Sequence, residues 1–182
     1  MEQQELLENL DSLRQRMEQE RPAPWEALPD LPLYMDQVVS YLGRQLISFG
    51  EGDGLTSAMI NNYIKDGIVP RAKGKRYERE HLSSLTAVAA LKQVLSVKDM
   101  GTLMANSAMQ GDPRERYEHF CAELDLALKG ALEDMDRSPD PSDLPALALT
   151  LALRSYADAL ACRRILDLLR AGTPADDRKK KK

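Results

Sequence analysis

Cysteine is scarce in this chain: two residues in 182, Cys121 and Cys162, with no CxxC spacing. Two isolated cysteines build neither a disulfide framework nor a thiolate zinc cluster, and they fit a reducing cytosol. Aromatic residues are equally thin at 5%. With Leu, Ala and Met plentiful, that balance leans towards helices. There is no long apolar run. The longest uncharged one, Leu144–Leu153, is too short to span a bilayer. The opening MEQQELLENL is acidic and lacks the basic and apolar regions of a signal peptide. The expectation is a soluble cytoplasmic protein with no membrane partner.

Catalytic signatures are missing too. No Ser/His/Asp set, phosphate-cradling glycine loop or HExxH occurs, so no enzyme is expected. His119 and Cys121 stand two residues apart, which puts them on different faces of a helix, and no metal or cofactor is expected. Cys121 lies on an apolar stripe and reads as a core residue. Asp134 and Asp136 read as solvated residues at a helix end, and His81 as a surface residue near a helix start.

What is present is an uneven charge. The net charge is −4. Residues 1–54 carry 4 basic and 11 acidic side chains, whereas residues 55–82 carry 6 basic and 3 acidic. A further basic cluster, Arg178 to Lys182, lies in the last residues. Phosphate binding depends on the field at the contact surface, so a basic window in an acidic chain is compatible with nucleic acid.

Periodicity divides the chain. Leu6, Leu10, Leu13 and Met17 make a helical stripe, followed by a connector with prolines at 22, 24, 29 and 32. A helix is expected from about Met35 to Ile47, then a glycine-rich loop over 48–54. Thr56 or Ser57 caps a short helix with Met59, Ile60, Tyr63 and Ile64 inward. Gly67 stands where a helix end needs a left-handed residue. Ile68-Val69-Pro70 reads as a strand, Lys73-Gly74 as a turn and Lys75-Arg76-Tyr77 as its return, a small β-hairpin with a basic tip.

A helix is expected from about Glu80 to Leu95, burying Leu82, Leu85, Val88, Ala89 and Leu95. Ser96 to Asp99 has the form of a capping box, opening a helix with Val97, Met100, Leu103 and Met104 inside. Asp112-Pro113 is a strong start signal for a long helix, with Tyr117, Leu124, Leu128 and Met135 on one face. Two prolines within 137–143 break it. The last helix, about 143–170, is apolar almost all round in its first half and is expected in a central position or against a partner chain.

The string Met59 to Pro70 resembles the recognition helix and wing entry of the MerR family. Arg76-Tyr77 is similar to that family's returning wing strand. Leu82 and Leu85 resemble its next helix, and Leu95 to Met100 its following helix start. The whole chain also resembles an uncharacterised bacterial family that carries this domain ahead of extra helices. The resemblance implies a mainly α fold: a MerR-like winged helix-turn-helix with a small β-hairpin wing, then a helical C-terminal region. The expected divisions are 1–32 (helix and connector), 33–110 (winged domain), 111–171 (helical region) and 172–182 (disordered basic tail).

On that resemblance the chain is expected to be a bacterial DNA-binding transcriptional regulator. Double-stranded DNA and a second copy of itself are the expected partners, with an effector or another protein acting through the C-terminal helices. Exposed Ser57, Asn61, Asn62 and Lys65 would face the major groove, since Asn suits adenine and Lys suits phosphate. Arg71, Lys73, Lys75, Arg76 and Arg79 would grip backbone phosphates or probe a minor groove; the resemblance assigns Tyr63 to a phosphate, and Tyr77 is expected to act likewise. Asn61 and Asn62 replace the family's Arg and Tyr, and the 48–54 loop exceeds its usual tight turn. The alternative is a protein-interaction adaptor on the same fold without DNA binding, favoured by the acidic halves and by those Asn replacements.

Overall fold

The computed structural model describes residues 3–48, 50, 52–106, 111–137 and 140–172. The expected disordered tail lies outside the described residues except for Gly172, which is helical, and parts of the 48–54 loop and the 137–143 break lie outside them too.

Local signals at the helix starts act as their chemistry requires. Thr56 accepts a hydrogen bond from the Met59 amide, Ser96 from the Asp99 amide, and Asp112 from the amides of Arg114 and Glu115. Each satisfies first-turn N–H groups that have no partner within the helix. The described helices are α1 (Gln3–Gln19), α2 (Met35–Leu42), α3 (Ser57–Lys65), α4 (Arg79–Leu91), α5 (Val97–Ala105), α6 (Pro113–Asp136) and α7 (Leu144–Gly172). Short 3-10 turns cover Trp25–Ala27 and Pro141–Asp143.

α4 occupies the centre. His81 to Ser84 and Leu85 to Val88 are all buried, on every face of two helical turns. α2 packs on one side of it and α6 on another. α1 lies along α6, and α7 lies along α5. The main core joins Val38 and Leu42 of α2, Ile60 and Tyr63 of α3, Leu82, Leu85 and Val88 of α4, and Met100 of α5. Leu166 of α7 is buried in the same cluster.

Several ties fix the outer helices. The Arg14 guanidinium donates to the Met135 carbonyl at 2.5 Å, closing the C-terminus of α6, and Arg21 pairs with Asp125 at 2.9 Å. The buried Tyr117 hydroxyl donates to the Ala23 carbonyl at 2.8 Å, pinning the proline connector to α6. Arg170 pairs with Asp99 at 2.7 Å and holds α7 on α5.

The expected β-hairpin wing is absent: among the described residues there is no β-strand, only two isolated bridges. The backbone has other uses for those groups. The amides of Ile68 and Val69 both donate to the Tyr63 carbonyl, closing α3 behind Gly67 (φ 74°), and Pro70 has no N–H to give. The return segment pairs elsewhere. Tyr77 exchanges both backbone hydrogen bonds with Leu33, each 2.9 Å, in the connector before α2. Between them Lys73 and Arg76 close a tight turn with one hydrogen bond of 3.1 Å. Its central residues Gly74 and Lys75 both take positive φ, as in primed hairpin turns. The fold class is therefore helical without a wing, and the winged helix-turn-helix assignment fails on that ground.

Other expectations are corrected. α2 stops at Leu42, not near Ile47; Gly43 to Gln45 turn away, and the buried Gln45 carboxamide accepts from the Ala23 amide at 3.0 Å. α4 ends at Leu91, short of Leu95. His81 is buried, not a surface residue: its Nδ1 accepts from the Glu78 amide at 3.0 Å and its ring meets Tyr77 edge-on. Val97 is exposed. Asp134 is no solvated helix end, for it holds Arg137 at 2.9 Å and Arg154 at 2.5 Å with its side chain largely covered. The central helix is α4, while α7 lies at the surface with one face bare. Among the described residues no helix is long and apolar enough to cross a membrane.

Candidate nucleic-acid interface

α3 is a nine-residue helix whose orientation is set by burial. Ile60 and Tyr63 turn into the core, with Met59 and Ile64 packed at its margin. Ser57, Asn61, Asn62 and Lys65 are left on the exposed side. At 100° per residue these four fall within roughly 140° of arc, one polar face. Asn is a poor mid-helix residue, so two in a row on a face with no packing demand carry a cost that stability does not explain.

Beyond α3 the chain is anchored twice, by buried Ile68 and Val69 and by buried Tyr77. Between these anchors Arg71, Lys73, Lys75 and Arg76 all stand exposed on the tight turn. The anchors keep the turn next to α3, with Lys65 and Arg71 only six residues apart.

The electrostatics of this surface differ from the rest of the molecule. Among the described residues, Lys65, Arg71, Lys73, Lys75 and Arg76 form no ion pair and no side-chain hydrogen bond. Of the other arginines, Arg14, Arg16, Arg21, Arg114, Arg116, Arg137, Arg154, Arg164 and Arg170 each meet a carboxylate, while Arg44, Arg79 and Arg163 donate to backbone carbonyls. Between Leu55 and Tyr77 the sequence holds one acidic residue, Asp66. An unneutralised cationic surface next to amide-bearing side chains can hold a polyanion and contact hydrogen-bonding edges along it.

Three of the expected contact residues are otherwise engaged. Tyr63 and Tyr77 are both buried, 5% exposed, and burial pushes their phenols above the usual range, so both stay protonated at neutral pH. Their rings belong to the core, Tyr77 against His81. Arg79 turns inward: its guanidinium donates to the Leu28 carbonyl at 3.0 Å and lies 5.7 Å from the Trp25 ring centroid. It clasps the connector to α4. No signal local to residue 79 announces this, because its partners lie about fifty positions earlier.

A second feature was not read from the sequence. Between α7, α6 and the segment that follows α4 lies an open groove of about 380 Å³, walled by Leu95, Ala127, Ala131, Leu151, Ala159 and Cys162. Small residues at the facing positions of α6 and α7 leave this space, and the alanine repeats are the signal in hindsight. Cys121 and Cys162 are free and half-buried, and burial raises the Cys121 thiol. Among the described residues no group of three or more His, Cys, Asp or Glu is placed to hold a metal ion.

Residues 23–120, just over half of the chain, match the family described as "Domain of unknown function (DUF1836)", and the chain belongs to it. The match spans the connector, α2 to α5, the basic turn and the start of α6. This membership, with the missing wing, replaces the MerR-like assignment. Neither the curated proteins nor the solved structures contain a match to the chain.

Proposed function

We propose that this DUF1836 chain is a DNA-binding regulator, a binding protein without a catalytic step, that contacts duplex DNA through α3 and the basic turn. The observation that supports the reading is the set of five cationic side chains, Lys65, Arg71, Lys73, Lys75 and Arg76, clustered within twelve positions, exposed and without partners in a protein of net charge −4. Backbone phosphates are the natural counter-charges for such a set, and releasing their condensed cations drives association. Asn61 and Asn62 supply the groups that can select a base edge, adenine above all. Acidic surfaces elsewhere repel the duplex and orient the approach. A chromosome-binding role puts the protein in the bacterial cytoplasm. An effector would act through the helices behind the basic surface.

Duplex binding measured at low salt tests this directly. Wild-type protein is expected to bind, and Lys73→Glu with Arg76→Glu to weaken binding to every sequence by roughly ten-fold or more. Asn61→Ala is expected to cost about 1–3 kcal/mol at a preferred sequence and little on random duplex. No duplex binding at low salt overturns the proposal in favour of a protein-interaction adaptor.

A further inference from the structure

α7 carries a second unmatched surface, of a different kind. Leu149, Leu153, Tyr156 and Leu160 recur at spacings of four, three and four, and all are exposed, between 45% and 68%. At 100° per residue they fall in a strip roughly 60° wide, directly opposite the side on which Leu147 is buried and Leu151 lines the groove. The only charges between Leu144 and Cys162, Arg154 and Asp158, line that groove on the far side, and Arg154 is committed to Asp134. Ala146, Ala152 and Ala157 flank the strip, small enough to let another helix come close. A bare apolar strip of this length is unusual on a monomer and marks an interaction surface.

We infer that the strip pairs with the same strip of a second copy of this chain, the two α7 helices running antiparallel about a twofold axis between Leu153 and Tyr156. The sequence is self-complementary about that point. Leu149 meets the second copy's Leu160 and Leu153 meets its Tyr156, and by symmetry each contact occurs twice, as an isologous interface requires. The charges select this direction. The turn leading into α7 carries Asp140 and Asp143, and no base precedes Arg154 in the helix, whereas Arg163 and Arg164, the latter 3.7 Å from Asp167, follow the strip at the other end. Antiparallel pairing sets those arginines near the opposing aspartates, while parallel pairing sets like against like. Specificity of this kind rests on repulsion in the wrong arrangement as much as on attraction in the right one.

The inference stands on α7 alone and is tested without DNA. Sedimentation equilibrium of the full chain is expected to give twice the 20.4 kDa chain mass at micromolar concentration. Leu153→Glu, at an exposed position that leaves the circular dichroism unchanged, is expected to weaken pairing by at least about 30-fold, the effect of losing a central contact residue. Arg164→Glu is expected to weaken it, and adding Asp143→Arg to restore it. A chain with Leu149→Cys is expected to cross-link oxidatively to one with Leu160→Cys. A monomeric wild-type protein at 100 µM (the test concentration, roughly that of strong self-association assays) overturns the inference. So does a dimer indifferent to Leu153→Glu, or preferential cross-linking of Leu160→Cys chains to each other.

Discussion

The ionic strength dependence of DNA binding is where the proposed interface makes its sharpest numerical commitment. Five unpartnered cations, Lys65, Arg71, Lys73, Lys75 and Arg76, are available to each protomer. If all five neutralise phosphates, log K falls against log salt with a slope of about −0.9 per contact, or about −4.5 per protomer. A four-fold rise in salt, from ~50 to ~200 mM, then weakens binding about 500-fold. Lys73→Gln with Arg76→Gln removes two contacts, so the slope falls to about −2.7 and the same change in salt costs only about 40-fold.

Fluorescence anisotropy of a labelled duplex, titrated at several salt concentrations, measures both slopes. Arg114→Gln is the matched control. It also removes a surface arginine, but one paired with Glu26 and with Glu118 at 2.7 Å, so the slope is expected to stay near −4.5. A double variant that binds with an unchanged slope would show that the turn lies away from the phosphates. A wild-type slope near zero would refute the electrostatic argument altogether.

The remaining predictions concern the frame that carries this surface. Leu85→Ala, at a fully buried position in the middle of α4, is expected to destabilise by about 2–5 kcal/mol in denaturant unfolding without changing the m value. Two glycines are expected to act with opposite signs. Gly67→Ala forces a side chain into φ 74° where no atom lies within 4 Å, so it costs backbone strain alone, about 1 kcal/mol. Gly101→Ala in α5 meets only an ordinary 3.8 Å contact with Ile68 and is expected to stabilise by about 0.5–1 kcal/mol. The hydrogen bond from Ser96 and the charge of Arg170 hold the Asp99 carboxyl below its ordinary range. Its contribution is therefore complete above the unfolded-state pKa of about 4 and is lost as pH falls through the lower folded value. Arg170→Met is expected to cost about 1 kcal/mol at pH 7 and progressively less in acid, read from unfolding curves at both ends of that range.

Much of the helical frame was legible because its signals are local. Thr56, Ser96 and Asp112 act on amides two or three residues away, and the stripes of α1 and α6 repeat within a few turns. The same is true of the turn at Lys73-Gly74 and of the left-handed Gly67. The wing failed for the opposite reason. Whether Ile68-Val69 and Tyr77 become strands depends on which backbone groups they find, and Tyr77 finds Leu33, 44 positions earlier, while Ile68 and Val69 are taken by the end of α3. Arg79 and His81 were misjudged in the same way. One is drawn to Trp25 and Leu28 and the other to Tyr77, contacts invisible in their own neighbourhood. Of the candidate site, exposure followed helical phase for Ser57, Asn61, Asn62 and Lys65. It did not for the two tyrosines, whose amphipathic rings suit either a phosphate or a core.

The family match ends at residue 120, yet the core it encloses does not. Leu166, 2% exposed, closes the cluster formed by α2 to α5, and Cys162 packs beside it. Arg170 locks the same end of α7 onto Asp99. The C-terminal half of α7 is thus a structural part of the domain that presents the basic surface, and its N-terminal half carries the bare leucine strip. One continuous helix therefore ties the strip to the core behind α3. With the strip paired to a second copy, two basic surfaces would be held at a fixed separation by packed helices rather than by a tether. That rigidity is what lets two weak half-contacts add on a duplex with a preferred spacing.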